Sequence, residues 1–184
     1  MIKDKYSNGE FTKLYKHLMK QGFYNNGWNH RYGPFLKNVN SRLDYYCEAF
    51  EYFKGLNVLD VGCFSGFYSF LISDYANKVI GIDIQEDTIA FADILSYRLN
   101  SGNVEFELKS FSEFFNESYH IKYNINGLLL HKVMGDFHKE DFDILDSIAE
   151  NMKIIITVGP YFEKYECFKN SQLENLFIHE NIKL

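Results

Sequence analysis

Two prolines, one tryptophan and three cysteines are all that 184 residues contain of these types. Each scarcity excludes something. Cys47, Cys63 and Cys167 are odd in number and widely spaced, so neither a disulfide framework nor a zinc site is expected. No apolar run approaches the roughly 20 residues needed to span a bilayer, and no membrane partner is expected. The start MIKDKYSNGEFTK carries charges where a secretory signal needs an apolar core, making a reducing, cytoplasmic setting the default expectation. With 46% hydrophobic and 18% aromatic residues, the chain has ample material for a packed core, and disorder of its body is not expected.

Charge is also unevenly supplied. Residues 1–55 hold nine Lys/Arg against five Asp/Glu, whereas residues 56–184 hold ten against twenty. A basic leading segment suits an anionic substrate, or is simply a solvated helix surface. The acidic remainder argues against extensive nucleic-acid binding, while a local patch would still permit RNA.

Residues 10–20 place Phe11, Leu14, Leu18 and Met19 on one helical stripe. The stretch QGFYNNGWNHRYGPF reads as an irregular loop. A second helix is expected over 40–54, capped by Asn40 or Ser41 and closed by Gly55. From residue 57 onward the pattern alternates. Strands are expected at 57–62, 78–84, 103–110, 124–131 and 153–159, and helices at 66–76, 86–100 and 140–152. SEFFNES reads as a short helix or turn, and the tail ENLFIHENIKL as one or two antiparallel strands. Alternating strands and helices imply right-handed crossovers and a mostly parallel sheet covered on both faces. The expected architecture is one Rossmann-like α/β domain, with a helical extension over 1–55 and a core over 56–184.

The chemistry concentrates in VLDVGCFSGFYSF (58–70) and VIGIDI (79–84). In an open parallel sheet, ligands bind beyond the carboxyl ends of the strands. Gly62 suits a turn closed to other residues, and its missing side chain would let a ligand approach the main chain. Gly66 permits close packing where the next helix starts. Asp83, 21 residues beyond Gly62, is placed to accept hydrogen bonds from ribose hydroxyls. The loop reads D-x-G-x-x-x-G rather than G-x-G-x-x-G, and the bulk of Phe64 would crowd a pyrophosphate, disfavouring a nicotinamide dinucleotide.

The stretch VLDVGCFSG followed by VIGIDI resembles the class I S-adenosylmethionine-dependent methyltransferases, whose first motif is an acid, x, Gly, x, Gly, x, Gly. The likeness is strongest over about 56–160. Phe64 replaces the central glycine, as in branches that continue with (F/Y)YS, seen here as GFYSF; these include enzymes resembling wobble-uridine tRNA modifiers and sugar O-methyltransferases. The acid-rich motif that sugar-type branches carry after strand four is replaced by LLLHKVMGDF. The resemblance implies S-adenosyl-L-methionine as cofactor and S-adenosyl-L-homocysteine as product. Asp60, Gly62 and Gly66 would line the methionine end with Cys63 and Phe64 of the same loop, and Asp83 would hold the ribose beside Ile84. Ser110, Phe111 and Ser112 would frame the adenine, with Phe111 stacking on the base.

Other residues have two readings. His131, ending strand four, is a general base, a residue orienting substrate, or a cap for the helix that follows. His131, Asp136, His138, Glu140 and Asp141 gather in one polar stretch, but their spacing matches no metal-ligand pattern. Trp28, His30, Arg31 and Tyr32 either contact the acceptor, Arg31 through its planar fork, or pin the extension onto the sheet. Tyr161 is a further acceptor-contact residue, and Cys63 is better read as packed than as nucleophilic. A small molecule or sugar is the favoured methyl acceptor. The competing reading is a noncatalytic nucleoside-binding protein or partner subunit of the same fold.

Overall fold

The computed structural model describes residues 47–158 continuously, together with Lys13, Leu14, His17 and the short strand Phe177–Ile178. Lys13, Leu14 and His17 are helical, inside the helix expected over 10–20, and Leu14 packs against the core. Asn40, Ser41 and the loop QGFYNNGWNHRYGPF lie outside the described residues. Residues 47–50 are helical and tighten into a 3-10 turn at Glu51–Phe53. Gly55 follows with φ of +73°, a left-handed conformation that ends the segment.

Six strands form one sheet: β1 (Asn57–Val61), β2 (Lys78–Asp83), β3 (Val104–Leu108), β4 (Gly127–His131), β5 (Ile154–Val158) and β6 (Phe177–Ile178). Their order is β3-β2-β1-β4-β5-β6, and every described pairing is parallel. The tail strand thus differs from the antiparallel expectation: β6 runs parallel to β5, with Phe177 opposite Ile155. The helices are α1 (Phe67–Ser73), α2 (Glu86–Leu99), α3 (Phe111–Asn116), α4 (Tyr119–Lys122) and α5 (Lys139–Ala149).

The alternation of strand side chains divides the core in two. On one face, Val58, Val79, Leu129 and Ile156 pack with Phe50, Phe53, Phe67, Phe70, Phe91 and Leu95, which covers that side with α1 and α2. On the other, Leu59, Ile80, Leu128, Leu130 and Ile155 meet Phe111, Phe114, Phe115, Leu145 and Ile148 of α3 and α5. Both faces are therefore dry, as runs such as VLDV and LLL require. The chain changes sides between β3 and β4. Consequently β1 and β4 lie side by side while their following connections leave toward opposite faces, which opens a crevice at their carboxyl ends.

Local chemistry sets the boundaries. Glu86 and Asp87 lie in the first turn of α2, where they complement the helix dipole, and Asn100 closes it in a left-handed conformation. Ser110 and Glu113 form a reciprocal capping box that starts α3 two residues after β3 ends. That cap turns SEFFNES into a definite helix beginning at Phe111. The sequence analysis did not identify α4, whose four residues are too few to display a period.

Phe70 is fully buried between α1 and the ring of Phe106. Phe70→Ala should therefore cost about 3–5 kcal/mol, read as a lower urea midpoint at unchanged slope. Tyr97→Ala on exposed α2 surface should stay within about 0.5 kcal/mol.

Candidate functional site

The crevice is bounded by four segments: the loop after β1, the tip of β2, the start of α3, and the turn after β4. In the first, Val61 leads into Gly62 at φ +66°, Phe64 at φ +53° and Gly66 at φ +79°. Three left-handed residues among five make a tight coil rather than a continuing strand. Cys63 donates its N–H to the carbonyl of Ile82 at 2.9 Å, and Gly66 donates to the carbonyl of Cys63 at 2.9 Å. Phe64 donates its N–H to Asp83 Oδ2 at 2.9 Å, so the β2 carboxylate clamps the middle of the loop. The other oxygen, Oδ1, accepts from the N–H of Gln85 at 2.9 Å and pins the turn into α2. Each carboxylate oxygen has a second lone pair, so Asp83 retains acceptor capacity toward a ligand hydroxyl.

What fills the space beside each glycine separates packing from ligand contact. A Cβ on Gly62 would collide with Val133 Cγ1, and one on Gly66 would lie 2.6 Å from Phe106 Cζ. Protein therefore occupies both positions. The missing side chains serve to seat the β4 turn and the Phe106 ring against the loop. Lys132, at φ +61°, throws the chain back so that Val133 reaches Gly62, and Met134 next to it is buried in the second core.

Beneath the loop lies Asp60, only 1% exposed, on the α1 face of β1. Ser69 donates its Oγ–H to Asp60 Oδ2 at 2.6 Å. Burial raises the Asp60 carboxyl to about 7; Ser69 opposes that rise, and the charge of nearby Asp83 adds to it. Burial likewise pushes the Cys63 thiol well above its ordinary range, with Asp60 and Asp83 adding to the effect. Cys63 thus remains a packed thiol and not a nucleophile. Among the described residues, neither Asp60 nor Asp83 is paired with a lysine, arginine or histidine.

The far wall differs from expectation. Phe111 is only 4% exposed; its ring meets Phe115 at 4.8 Å and stacks on Phe137 at 5.0 Å. As the first residue of α3 it points into the second core, so its face is not presented for stacking on a base. Ser110 spends its hydroxyl and N–H on Glu113, and Ser112 lies 3.4 Å from the Ser110 hydroxyl. The open apolar surface is instead Ile84, 73% exposed just after Asp83, together with Leu108, 48% exposed and opposite Asp83 across the β2–β3 pair.

His131 ends β4, half-buried, with its ring 4.2 Å from that of Tyr68 on α1 and tilted by 42°. The polar residues that follow are committed locally. His138 caps α5, donating its N–H to Asp141 Oδ2 at 2.9 Å, and Glu140 accepts from Asn116 at 3.0 Å. Trp28, His30, Arg31, Tyr32 and Tyr161 lie outside the described residues. Reading the sequence missed Ser69, Val133 and Phe106. Ser69 carried a faint signal, standing one helical turn past Gly66; Val133 and Phe106 carried none.

A family model described as a methyltransferase domain matches residues 53–170, which takes in the glycine loop, Asp83 and His131. The chain belongs to this methyltransferase domain family. Among curated proteins it is similar to the O-antigen chain terminator bifunctional methyltransferase/kinase WbdD of Escherichia coli. That match is 34% identical over 62 residues, 31% of this chain but only 9% of the relative. A crystal structure of WbdD superposes with a TM-score of 0.53 at 21% identity, over 70% of this chain and 31% of that one. A putative rRNA-methylase from Clostridium thermocellum gives 0.54 at 18% identity, over 72% and 81%. A protein titled precorrin 8w decarboxylase from Methanobacterium thermoautotrophicum gives 0.54 at 20%, over 68% and 69%. At such identities the likeness is one of fold, and the differing titles illustrate how many chemistries that fold carries.

The buried carboxyl makes a stability prediction. Between about pH 4 and 7 the native state keeps the Asp60 proton that the unfolded chain has already lost, so stability falls as pH rises through that window. A rise from an ordinary 3.8 to about 7 corresponds to a loss on the order of 4 kcal/mol. Asp60→Asn keeps the acceptor for Ser69 and lacks the titration. Urea denaturation from pH 4 to 8 should therefore show the wild type losing stability relative to this variant.

Proposed function

We propose that the protein is an S-adenosylmethionine-dependent methyltransferase acting on an oxygen or nitrogen acceptor. The observation that carries this reading is the β2 tip. Asp83 holds the glycine loop through Phe64 yet keeps lone pairs for a ligand, directly beside the bare side chain of Ile84. A vicinal ribose diol suits that acceptor, and an adenine suits the apolar surface of Ile84 and Leu108. The uncompensated Asp60 below the loop suits the cationic methionine end, with Gly62, Cys63, Phe64 and Gly66 forming the loop around it. Ser110 and Ser112 then lie at the adenine margin, and Phe111 supports that margin from within.

When bound, this cofactor supplies a methyl group on a sulfonium sulfur, already activated for in-line attack by the acceptor. The chain's task is then to orient the acceptor, exclude water and remove a proton. His131 is assigned the proton-accepting role at the crevice rim, with the tilted ring of Tyr68 against it. Trp28, His30, Arg31, Tyr32 and Tyr161 are proposed acceptor contacts. A small molecule or saccharide is favoured as acceptor: residues 56–184 are acidic, and the curated relative is named for an O-antigen chain. RNA is the second acceptor class, supported by the basic segment 1–55.

Calorimetry should show binding of S-adenosylmethionine and S-adenosylhomocysteine but not NAD, with Asp83→Ala weakening both by at least about tenfold. Transfer of radiolabelled methyl to cell extract distinguishes an enzyme from a noncatalytic binding subunit. His131→Ala should lower turnover about a hundredfold and leave cofactor affinity unchanged. Full turnover in that variant would remove the base from this account.

A further inference from the structure

We infer that Asp60 exchanges its own proton for the positive charge of the ligand, so that seating a cation beneath the glycine loop expels one proton from the protein. The inference rests on the reading of the site as one for S-adenosylmethionine, and adds how its charge is accommodated.

Asp60 is 1% exposed and Asp83 9%; Ser69 of α1 holds the first, and Phe64 of the loop that leads into α1 holds the second. Burial disfavours the ionised form of a carboxyl such as that of Asp60 unless a counter-charge is supplied. Among the described residues, the groups that act on Asp60 offer none: on β2 there is Asp83, and on α1 the hydroxyl of Ser69, while Cys63 of the loop feels both acids. The β4 partner of Asp60 is Leu129, with His131 two residues further on and in tilted contact with Tyr68. On α2, Asp93 acts on Cys63 and adds negative charge. Asp83 is fixed by two backbone N–H donors, whereas Asp60 depends on Ser69 alone. Asp60 therefore holds a proton while the site lacks a cation. The rise of its carboxyl to about 7 agrees with that placement.

A cationic group near Asp60 reverses the balance, because an opposite charge favours the ionised form. The proton passes to bulk buffer; no bond other than O–H breaks. Affinity for a cationic ligand then improves as pH rises toward 8, whereas affinity for a neutral nucleoside at the same site does not.

The test is calorimetry of the full chain in two buffers of different ionisation enthalpy, which counts protons released on binding. S-adenosylmethionine should release more than half a proton near pH 6.5 and almost none at pH 9, with affinity rising roughly tenfold from pH 6 to 8. The neutral 5′-methylthioadenosine should bind without release. Asp60→Asn should abolish the release, and Ser69→Ala, which removes the bond favouring the charged form, should move its midpoint to higher pH. Binding of S-adenosylmethionine with no proton released at pH 6.5, or equal release by Asp60→Asn, would overturn the inference while leaving the site assignment standing. Failure of every adenosine compound to bind would remove both.

Discussion

Everything at the carboxyl edge depends on one hydrogen bond, from the N–H of Phe64 to the carboxylate of Asp83. It joins residues 19 apart in the chain and ties the tip of the second strand to the middle of the coil after the first. Such charge-assisted bonds are among the stronger ones available to a folded chain. Phe64 needs one, because a phenylalanine in the left-handed region carries backbone strain. Asp83 is thus a strut as well as the proposed ribose acceptor, and the two roles would use different lone pairs.

This arrangement changes how the glycines are understood. A glycine loop is usually read as room left for a ligand. Here the room beside Gly62 is taken by Val133, and that beside Gly66 by Phe106. The site is built by drawing three other elements onto the loop. That brings the turn after β4, where His131 stands, into contact with the coil that flanks Asp60. His131, Asp60 and Asp83 consequently belong to one packed unit and not to independent loops.

Much of this was legible in the residues. The strands at 57–62 and 78–84, the glycine coil between them, and the acid at 83 followed from apolar runs ending in Gly and Asp, because a doubly buried strand has few other ways to be written. The α3 boundary and the fate of Phe111 were not legible. A phenylalanine after a strand looks the same whether it faces a base or the core, and only the Ser110–Glu113 cap decides. The direction of the tail strand failed for a related reason. Two residues, Phe177 and Ile178, pair equally well either way in sequence terms, and direction is set by the path of the connecting chain. Val133 was invisible because its importance lies in a collision with an atom that Gly62 does not have.

Phe106 reaches from the outermost strand to lie within 2.8 Å of where side chains would begin on both Gly66 and Gly81. Border strands of a sheet fray first, since one rim of their amides has no neighbouring strand. Each time β3 peels away, that ring is withdrawn like a wedge from under the coil. Fraying at the margin of the fold would therefore loosen the glycine coil as well, and matched amide exchange in two places far apart in the chain would record it.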